Sequence, residues 1–310
     1  MGAYAYFQKK IVPLEDAKVG IMTHALNYGT GVFEGIRGNW NPVQRKTYLF
    51  RIKDHFERLT KSAHTLRIEI QESVEELCAT TVEIVQRSGY QEDVYIRPLA
   101  YKSSEEIGVR LHNLQDDIFI FVHPFGAYLD AEKGIRCCTS SWRRVPDTSI
   151  PGRAKVTGIY VNSALAKTEA WDRGYDEAIL LTHEGNVSEG SGENIFLVSG
   201  GVLITPPPAE GILVGITRNT VIELAAKELG IPTVERGVPR SELYGADECF
   251  MTGTAAHVTP VIEIDSRAVG SGGTGPVTRQ IMDLYSEIIR GNNSTYQGWC
   301  TAVAPTSAPV

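Results

Sequence analysis

Long apolar runs are missing from this chain. No stretch approaches the ~20 consecutive apolar residues of a membrane-spanning helix, so no membrane span is expected. The first residues, Met1 to Lys10, hold no apolar signal core, which argues against a secretory leader. Cysteine is scarce. Cys78, Cys137, Cys138, Cys249 and Cys300 make an odd count of five, and none stands in a C-x-x-C or Cys/His ligand spacing. That pattern speaks against a disulfide framework or a bound metal and for reduced, mostly buried thiols in a cytoplasmic protein. Cys137 and Cys138 are adjacent in an apparent strand, so they are expected on opposite faces. An excess of positive charge is missing too. Lys and Arg number 30 against 37 Asp and Glu, a net charge of −7, which argues against a nucleic-acid surface. No repeat of fixed period is visible.

What is present is ordinary globular material. Apolar residues make up 42% and charged residues 22%, enough for a sizeable core. A length of 310 residues exceeds what one core usually organises, so one large or two modest domains are expected. The first third reads as mixed α and β. Residues 47–66 start extended and turn helical, with Phe56, Leu59, Ala63 and Leu66 at helical spacing. Residues 73–89 form a second amphipathic helix stopped by Gly89. Residues 93–103 alternate as a strand, and 116–130 begin as a dense apolar strand before Pro124 and Gly126. The expected division is a small N-terminal domain over 1–124, a linker over 125–134, a large domain over 135–300 and a disordered tail over 301–310. The second part holds a strand at "GIRCCTSSWRRV", a helix over about 158–173 and further strands with turns at Glu184-Gly185-Asn186 and Ser199-Gly200-Gly201. A helix follows with Thr217 at its N-cap and Gly230 at its stop, then a strand and turn, then a last helix in "GPVTRQIMDLYSEIIRG". Strands and helices do not alternate strictly, which disfavours a doubly wound parallel sheet.

Several residues have the chemistry for a phosphorylated, carbonyl-bearing ligand. Gly215, Ile216 and Thr217 enter a helix, where free amides and the helix dipole suit a phosphate; the same residues serve as a plain cap. "MTGTAA" at 251–256 is a second Gly/Thr turn after an apolar strand. Arg51 suits a bidentate phosphate contact or an ordinary surface ion pair. Lys155 precedes the helix that contains Tyr160; as an unprotonated amine it would form an imine, and as a common lysine it would sit in solvent. Glu189 lies in a glycine-rich turn and suits a pyridinium nitrogen or a plain surface position. "GSGGTGPVT" lacks the Gly-Lys-Ser/Thr ending of a phosphate loop and reads as a flexible loop. None of these signals is specific singly; their order along the chain carries more.

That order resembles the class IV, or fold-type IV, pyridoxal-5′-phosphate (PLP) aminotransferases over roughly residues 6 to 290. The specific stretches are "HALNYGTGVFEGIR", "FRIKDHFERL", "YIRPLAY", "GVRL", "HPFGAYL", "AKVTGIYVNSALA", "SEGSGENIFLV", "GITRNTVIELA" and "MTGTAAHVTPV". The resemblance implies an α+β, two-domain fold like that of D-amino acid aminotransferase, with a smaller N-terminal α/β domain and a larger C-terminal domain of mixed sheet and barrel. It implies that Lys155 carries PLP and moves the α-proton, that Tyr160 meets the phenolic oxygen, and that Glu189 meets the ring nitrogen. Arg51, Ile216, Thr217 and Thr254 match the phosphate set, and Thr254 and Ala255 match a turn that meets the substrate α-carboxylate. Within the class the branched-chain enzymes are most similar. Tyr95 and Arg97 match their "YIR" strand, where the tyrosine helps bind the α-carboxylate and the arginine accepts the distal carboxylate of glutamate. Tyr28, Phe33, Tyr128 and Tyr160 match apolar pocket walls, and the Ile107-Gly108-Val109 loop matches one that reaches the partner subunit. A homodimer, or a larger homo-oligomer built from dimers, is therefore expected, with amino acids and 2-oxo acids as its small-molecule partners. The implied reaction exchanges an amino group between L-leucine, isoleucine or valine and 2-oxoglutarate. The nearest rivals are class IV transaminases of D-amino acids or (R)-amines, against which "YIR" and the "IGV" loop speak; a lyase acting on aminodeoxychorismate is a further one. Arg110, beside that loop, departs from the pattern and leaves acidic-substrate acceptance open.

Overall fold

The computed structural model describes residues 2–304. The described chain divides into two compact units, one of residues 2–126, 154–158 and 287–304, the other of 127–153 and 159–286.

Unit one starts with strands β1 (Tyr4–Phe7) and β2 (Lys10–Pro13) and the short helix α1 (His24–Tyr28). Strands β3 (Gly31–Phe33), β4 (Ile36–Asn41) and β5 (Lys46–Phe50) lead to helices α2 (Ile52–Thr65) and α3 (Val74–Ser88), then β6 (Val94–Lys102) and β7 (Asp116–Pro124). These strands and the C-terminal strand Cys300–Val303 form one sheet in the order C-terminal strand, β5, β4, β6, β7, β1, β2, with β3 also on β6. Every pairing in it is antiparallel. Alternation explains β6: Val94, Ile96 and Ala100 are fully buried, while Tyr95 and Arg97 point to the other face. α2 packs on α3 and β3, and α3 on β1 and β7. Phe56, Leu59, Leu77 and Ile84 are fully buried, each contributing roughly 1.5–3 kcal/mol by leaving water. α3 begins in a full capping box, Ser73 with Glu76, and ends at Gly89 in the left-handed region. Leu66 caps the end of α2 half-buried, and Ile68 takes the buried place beyond it.

Unit two runs β8 (Ile135–Arg143), α4 (Tyr160–Asp172), β9 (Glu177–Leu181), β10 (Val187–Gly190), β11 (Asn194–Ser199) and β12 (Val202–Thr205). It continues through α5 (Ile216–Glu228), β13 (Thr233–Glu235), β14 (Glu248–Gly253), β15 (His257–Ile264), β16 (Arg267–Ala268) and α6 (Pro276–Ile289). Its sheet is mixed, in the order β10-β9-β8-β15-β14-β11-β12-β13, with β16 on β15. Only β8–β9, β8–β15 and β12–β13 pair in parallel among the described residues. The α+β reading without a doubly wound sheet therefore holds. The adjacent cysteines behave as alternation requires. Cys137 joins the core cluster of Ile135, Ile179 and Leu181, while Cys138 joins Ala166, Ala170 and Leu180 under α4. All five thiols are unpaired.

Three sequence expectations need correction. Residues 301–303 are not a disordered tail: they lie in the C-terminal strand, paired to β5 in register Cys300↔Phe50 to Val303↔Thr47, with Val303 buried. The remainder of that expectation, residues 305–310, lies outside the described residues. Thr217 is not the N-cap of α5. Gly215 is, without a side-chain cap bond, and Thr217 sits inside the first turn. The segments 154–158 and 287–300, read from sequence as part of the second domain, fall in unit one. Among the described residues no helix is long and apolar enough to cross a membrane.

Candidate active site

Unit one carries the lysine. Lys155 is held through its backbone on both sides. Its amide donates to Ser62 Oγ at 3.2 Å, and its carbonyl accepts from the Phe33 amide at 3.0 Å. Val156 bridges to Val32, and the Thr157 hydroxyl donates to the carbonyls of Gly29 (2.8 Å) and Gly31 (3.1 Å). This docking brings two backbones together. A Cβ on Gly29, whose φ is +66°, would stand 3.0 Å from Gly158 Cα; only glycine fits that approach without strain. Lys155 Nζ lies 5.0 Å from the centre of the Phe33 ring. Arg97 faces the same ring, its guanidinium carbon at 4.4 Å, and donates to the Tyr95 hydroxyl at 3.0 Å. Arg97 Nε is buried and has no hydrogen-bond partner among the described residues.

Directly behind Phe33 stands a buried charged cluster that sequence reading did not single out. The Glu34 carboxylate is fully buried and lies 2.7 Å from His55 Nδ1 and 2.6 Å from Arg58 Nε. Burial works against the Glu34 charge, yet Arg58 and His55 hold its carboxyl well below the usual carboxylate range. Burial also pushes the His55 imidazole down, which Glu34 only partly offsets. His55 is therefore neutral and donates from Nδ1 to Glu34. Glu34 stands 21 residues before His55 and 24 before Arg58, so no local pattern joins the carboxylate to the two bases, although all three lie in the quoted "HALNYGTGVFEGIR" and "FRIKDHFERL" stretches.

Arg51 enters α2 with φ +47°, in the left-handed region. Its amide donates to the Trp299 carbonyl at 2.7 Å, its Nη1 to Asp54 at 3.0 Å, and its guanidinium lies 3.9 Å from the Trp299 ring centre. Tyr28, half-buried, accepts from the Gly108 amide at 3.1 Å, and His24 Nε2 lies 2.8 Å from the Gly108 carbonyl. These contacts fix the 107–109 loop, which leaves Val109 91% exposed. Arg110 pairs with Glu106.

Unit two carries the carboxylate and the helix entry. Glu189, at 5% exposure on β10, accepts from Arg144 Nη2 at 2.8 Å, Asn194 Nδ2 at 3.0 Å and the Leu213 amide at 3.1 Å. Ile216 and Thr217 are buried at the start of α5, and the Thr217 hydroxyl lies 3.4 Å from Tyr285 Oη. Asn194 also packs against this entry: a Cβ on Gly215 would stand 2.1 Å from its Oδ1. Thr254 and Ala255 lie half-buried in the β14–β15 turn, near Thr252, whose buried hydroxyl has no partner among the described residues. Tyr160 opens α4, half-buried. Tyr128 is largely exposed, with Lys167 Nζ 5.7 Å from its ring centre. Arg144 and Asn194 were not singled out from sequence. Arg144 lies just past β8 and is buried where Arg143 is exposed, which no local pattern signals.

Each unit by itself offers donor types that suit a phosphorylated pyridine aldehyde. Glu189 is a buried carboxylate, α5 starts on amides that no side chain caps, and Lys155 supplies an amine on a fixed backbone. Comparison with known proteins agrees. The family model described as amino-transferase class IV matches residues 31–264. A probable branched-chain-amino-acid aminotransferase of Aquifex aeolicus is 53% identical over 97% of this chain and 96% of its own. A branched-chain aminotransferase of Thermoproteus uzoniensis, solved with norvaline, superposes with a TM-score of 0.93 at 47% identity, covering 97% of this chain and 99% of the other. A branched-chain amino acid aminotransferase of Thermobaculum terrenum, solved in its PLP form, superposes with a TM-score of 0.93 at 40% identity, covering 97% of this chain and 98% of the other. With the family model spanning most of the chain and relatives aligned over nearly all of it, the chain belongs to the class IV amino-transferases, on their branched-chain-amino-acid aminotransferase branch.

Proposed function

We propose that this protein is a PLP-dependent aminotransferase that exchanges the amino group between L-branched-chain amino acids and 2-oxoglutarate. The observation that carries the substrate reading is the Phe33 ring, which both Lys155 and Arg97 face, at 5.0 and 4.4 Å. An aliphatic side chain gains from leaving water against such a ring. The distal carboxylate of glutamate needs a cation, and Arg97 has a buried Nε with no partner to offer one. One pocket thus serves both substrates.

PLP, when bound, withdraws electrons from the substrate α-carbon and holds the amino group between the two substrates. The chain's residues do the rest. Lys155 anchors the cofactor, then takes the α-proton on its amine and returns it. Glu189 keeps the ring nitrogen protonated, and Tyr160 holds the phenolic oxygen. Arg51, the amides of Ile216 and Thr217, and Thr254 hold the phosphate. Tyr95 and the amides of Thr254 and Ala255 orient the α-carboxylate, and Tyr28 and Tyr128 extend the apolar wall. The exposed Val109 supports a homodimer in which the 107–109 loop meets the partner. Five unpaired thiols suit the reducing cytoplasm.

The test is a spectroscopic titration of purified protein reconstituted with PLP. L-leucine should convert the visible cofactor band to that of the amino form, and 2-oxoglutarate should restore it. A band that ignores L-leucine but answers a D-amino acid or an (R)-amine overturns the substrate reading. A protein that takes up no PLP overturns the cofactor reading. Lys155→Ala should lose turnover altogether.

A further inference from the structure

Arg144 is a buried cation to which the roles above give no task. It follows β8, where its amide donates to the Leu181 carbonyl at 2.9 Å and fixes the start of the side chain. Its guanidinium then divides between two partners. Nε donates to the Gly211 carbonyl at 3.1 Å, and Nη2 lies 2.8 Å from Glu189 Oε1. Both charged side chains are 7% exposed. The Nε bond alone would tie down the Gly211 loop. The second bond places a full positive charge on a carboxylate whose other oxygen already accepts from Asn194 and the Leu213 amide.

We propose that Arg144 is a positioning residue for catalysis: its guanidinium holds Glu189 as an anion, so that a proton shared with the cofactor's ring nitrogen stays on the nitrogen. This rests on the assignment of Glu189 to that nitrogen made above. The argument is one of proton location. A buried carboxylate facing a pyridine nitrogen has two ways to share one proton: as carboxylate and pyridinium, or as neutral acid and neutral pyridine. Burial favours the neutral pair. Asn194 and the Leu213 amide donate to the carboxylate but carry no charge. Arg144 carries one, at hydrogen-bond distance in a low-dielectric setting, and tips the balance to the ionic pair. Only the pyridinium form withdraws electrons strongly. No atom is gained or lost; the guanidinium decides on which side of one hydrogen bond the proton rests.

The experiment compares Arg144→Gln, Arg144→Lys, Glu189→Gln and the double variant, each reconstituted with PLP. Two quantities are read: the pH midpoint at which the visible cofactor band titrates without substrate, and the turnover with L-leucine and 2-oxoglutarate. Arg144→Gln should raise the midpoint by about one pH unit, because a less protonated ring withdraws less from the lysine-bound carbon. Its kcat should fall about tenfold or more with KM within about twofold, which marks a loss felt in the transition state. Arg144→Lys keeps the charge and should recover most of both. In the Glu189→Gln background, Arg144→Gln should add little. A midpoint that Arg144→Gln leaves unmoved while Glu189→Gln shifts it overturns the proposal and makes Arg144 a loop tie only. So does equal loss in Arg144→Gln and Arg144→Lys, or a full Arg144→Gln effect in the Glu189→Gln background. A Glu189→Gln midpoint equal to wild type instead overturns the assignment of Glu189 itself. If Arg144→Gln does not fold, the double variant removes both buried charges together. Equal midpoints in it and in Glu189→Gln then support the proposal, and unequal midpoints overturn it.

Discussion

Replacing Trp299 with alanine should loosen the grip on the cofactor's phosphate without touching the chemistry. Arg51 occupies a left-handed backbone position, φ +47°, which an arginine holds only when its surroundings insist. Its amide bond to the Trp299 carbonyl survives the substitution; the indole under its guanidinium, at 3.9 Å, does not. A half-buried cation–π contact of this kind contributes about 1 kcal/mol, which corresponds to about a fivefold weaker hold on PLP. The assay is a spectroscopic titration of the cofactor-free protein with PLP, run beside pyridoxal, which has no phosphate. PLP affinity should fall about fivefold, pyridoxal affinity should stay unchanged, and kcat at saturating PLP should be that of wild type. Trp299→Phe should lie between. Unaltered PLP affinity in Trp299→Ala, or an equal loss for pyridoxal, would refute the reasoning.

Arg97→Met should keep L-leucine as donor to a branched 2-oxo acid but raise KM for 2-oxoglutarate roughly tenfold or more, because it removes a cation that faces Phe33, while its lost bond to the Tyr95 hydroxyl bears on both acceptors alike; steady-state kinetics with both acceptors decides it. Glu193, fully buried near Glu177 and accepting from the Gly192 amide at 3.0 Å, has its carboxyl pushed up to about 8, first by burial and then by Glu177. A raised carboxyl contributes stability below its ordinary value of 4.5 and loses it as pH rises toward 8. Over that window the loss is about 1.4 kcal/mol per pH unit. Glu193→Gln should flatten the pH dependence of denaturant-induced unfolding there, and an unchanged slope would show that the group titrates normally. The Glu34 cluster acts in the opposite direction. With Glu34 held below 4.5 and His55 below 6.5 in the folded state, stability should fall as pH drops through 6.5 and then through 4.5. Glu34→Gln should cost about 3 kcal/mol at neutral pH by removing the buried carboxylate that Arg58 Nε pairs with, which thermal unfolding would register as a clear drop in Tm.

Local chemistry made much of the fold legible. Ser73 and Gly89 bracket α3 because a cap hydroxyl and a left-handed glycine act within one turn of the helix they bound. Cys137 and Cys138 separate by alternation alone. What stayed hidden depends on partners distant along the chain. Residues 301–303 begin what looks like a polar end, and pairing along the edge of β5 makes them a strand. Thr217 resembles a cap residue, but Gly215 takes that place because Asn194 leaves no room there for a Cβ. The candidate site divides in the same way. Lys155, Glu189 and the α5 entry stand in motifs that can be read as strings. Glu34, His55 and Arg58 meet only after β3 and α2 have packed, and Arg144 gains meaning only from the carboxylate it faces. Trp299 reaches Arg51 from the far end of the sequence.

Asn194 bonds Glu189 through its amide nitrogen and crowds Gly215 with its amide oxygen. One side chain therefore sets the spacing between a carboxylate and a helix entry, as a gauge sets the gap between two jaws. A ligand that satisfies both jaws is measured for length as well as for charge. A PLP analogue with carbon in place of the ring nitrogen would keep its phosphate on α5 and present Glu189 with a C–H it cannot use. On the roles proposed above, vitamer selection would be a matter of end-to-end fit, set by the one side chain that touches both ends.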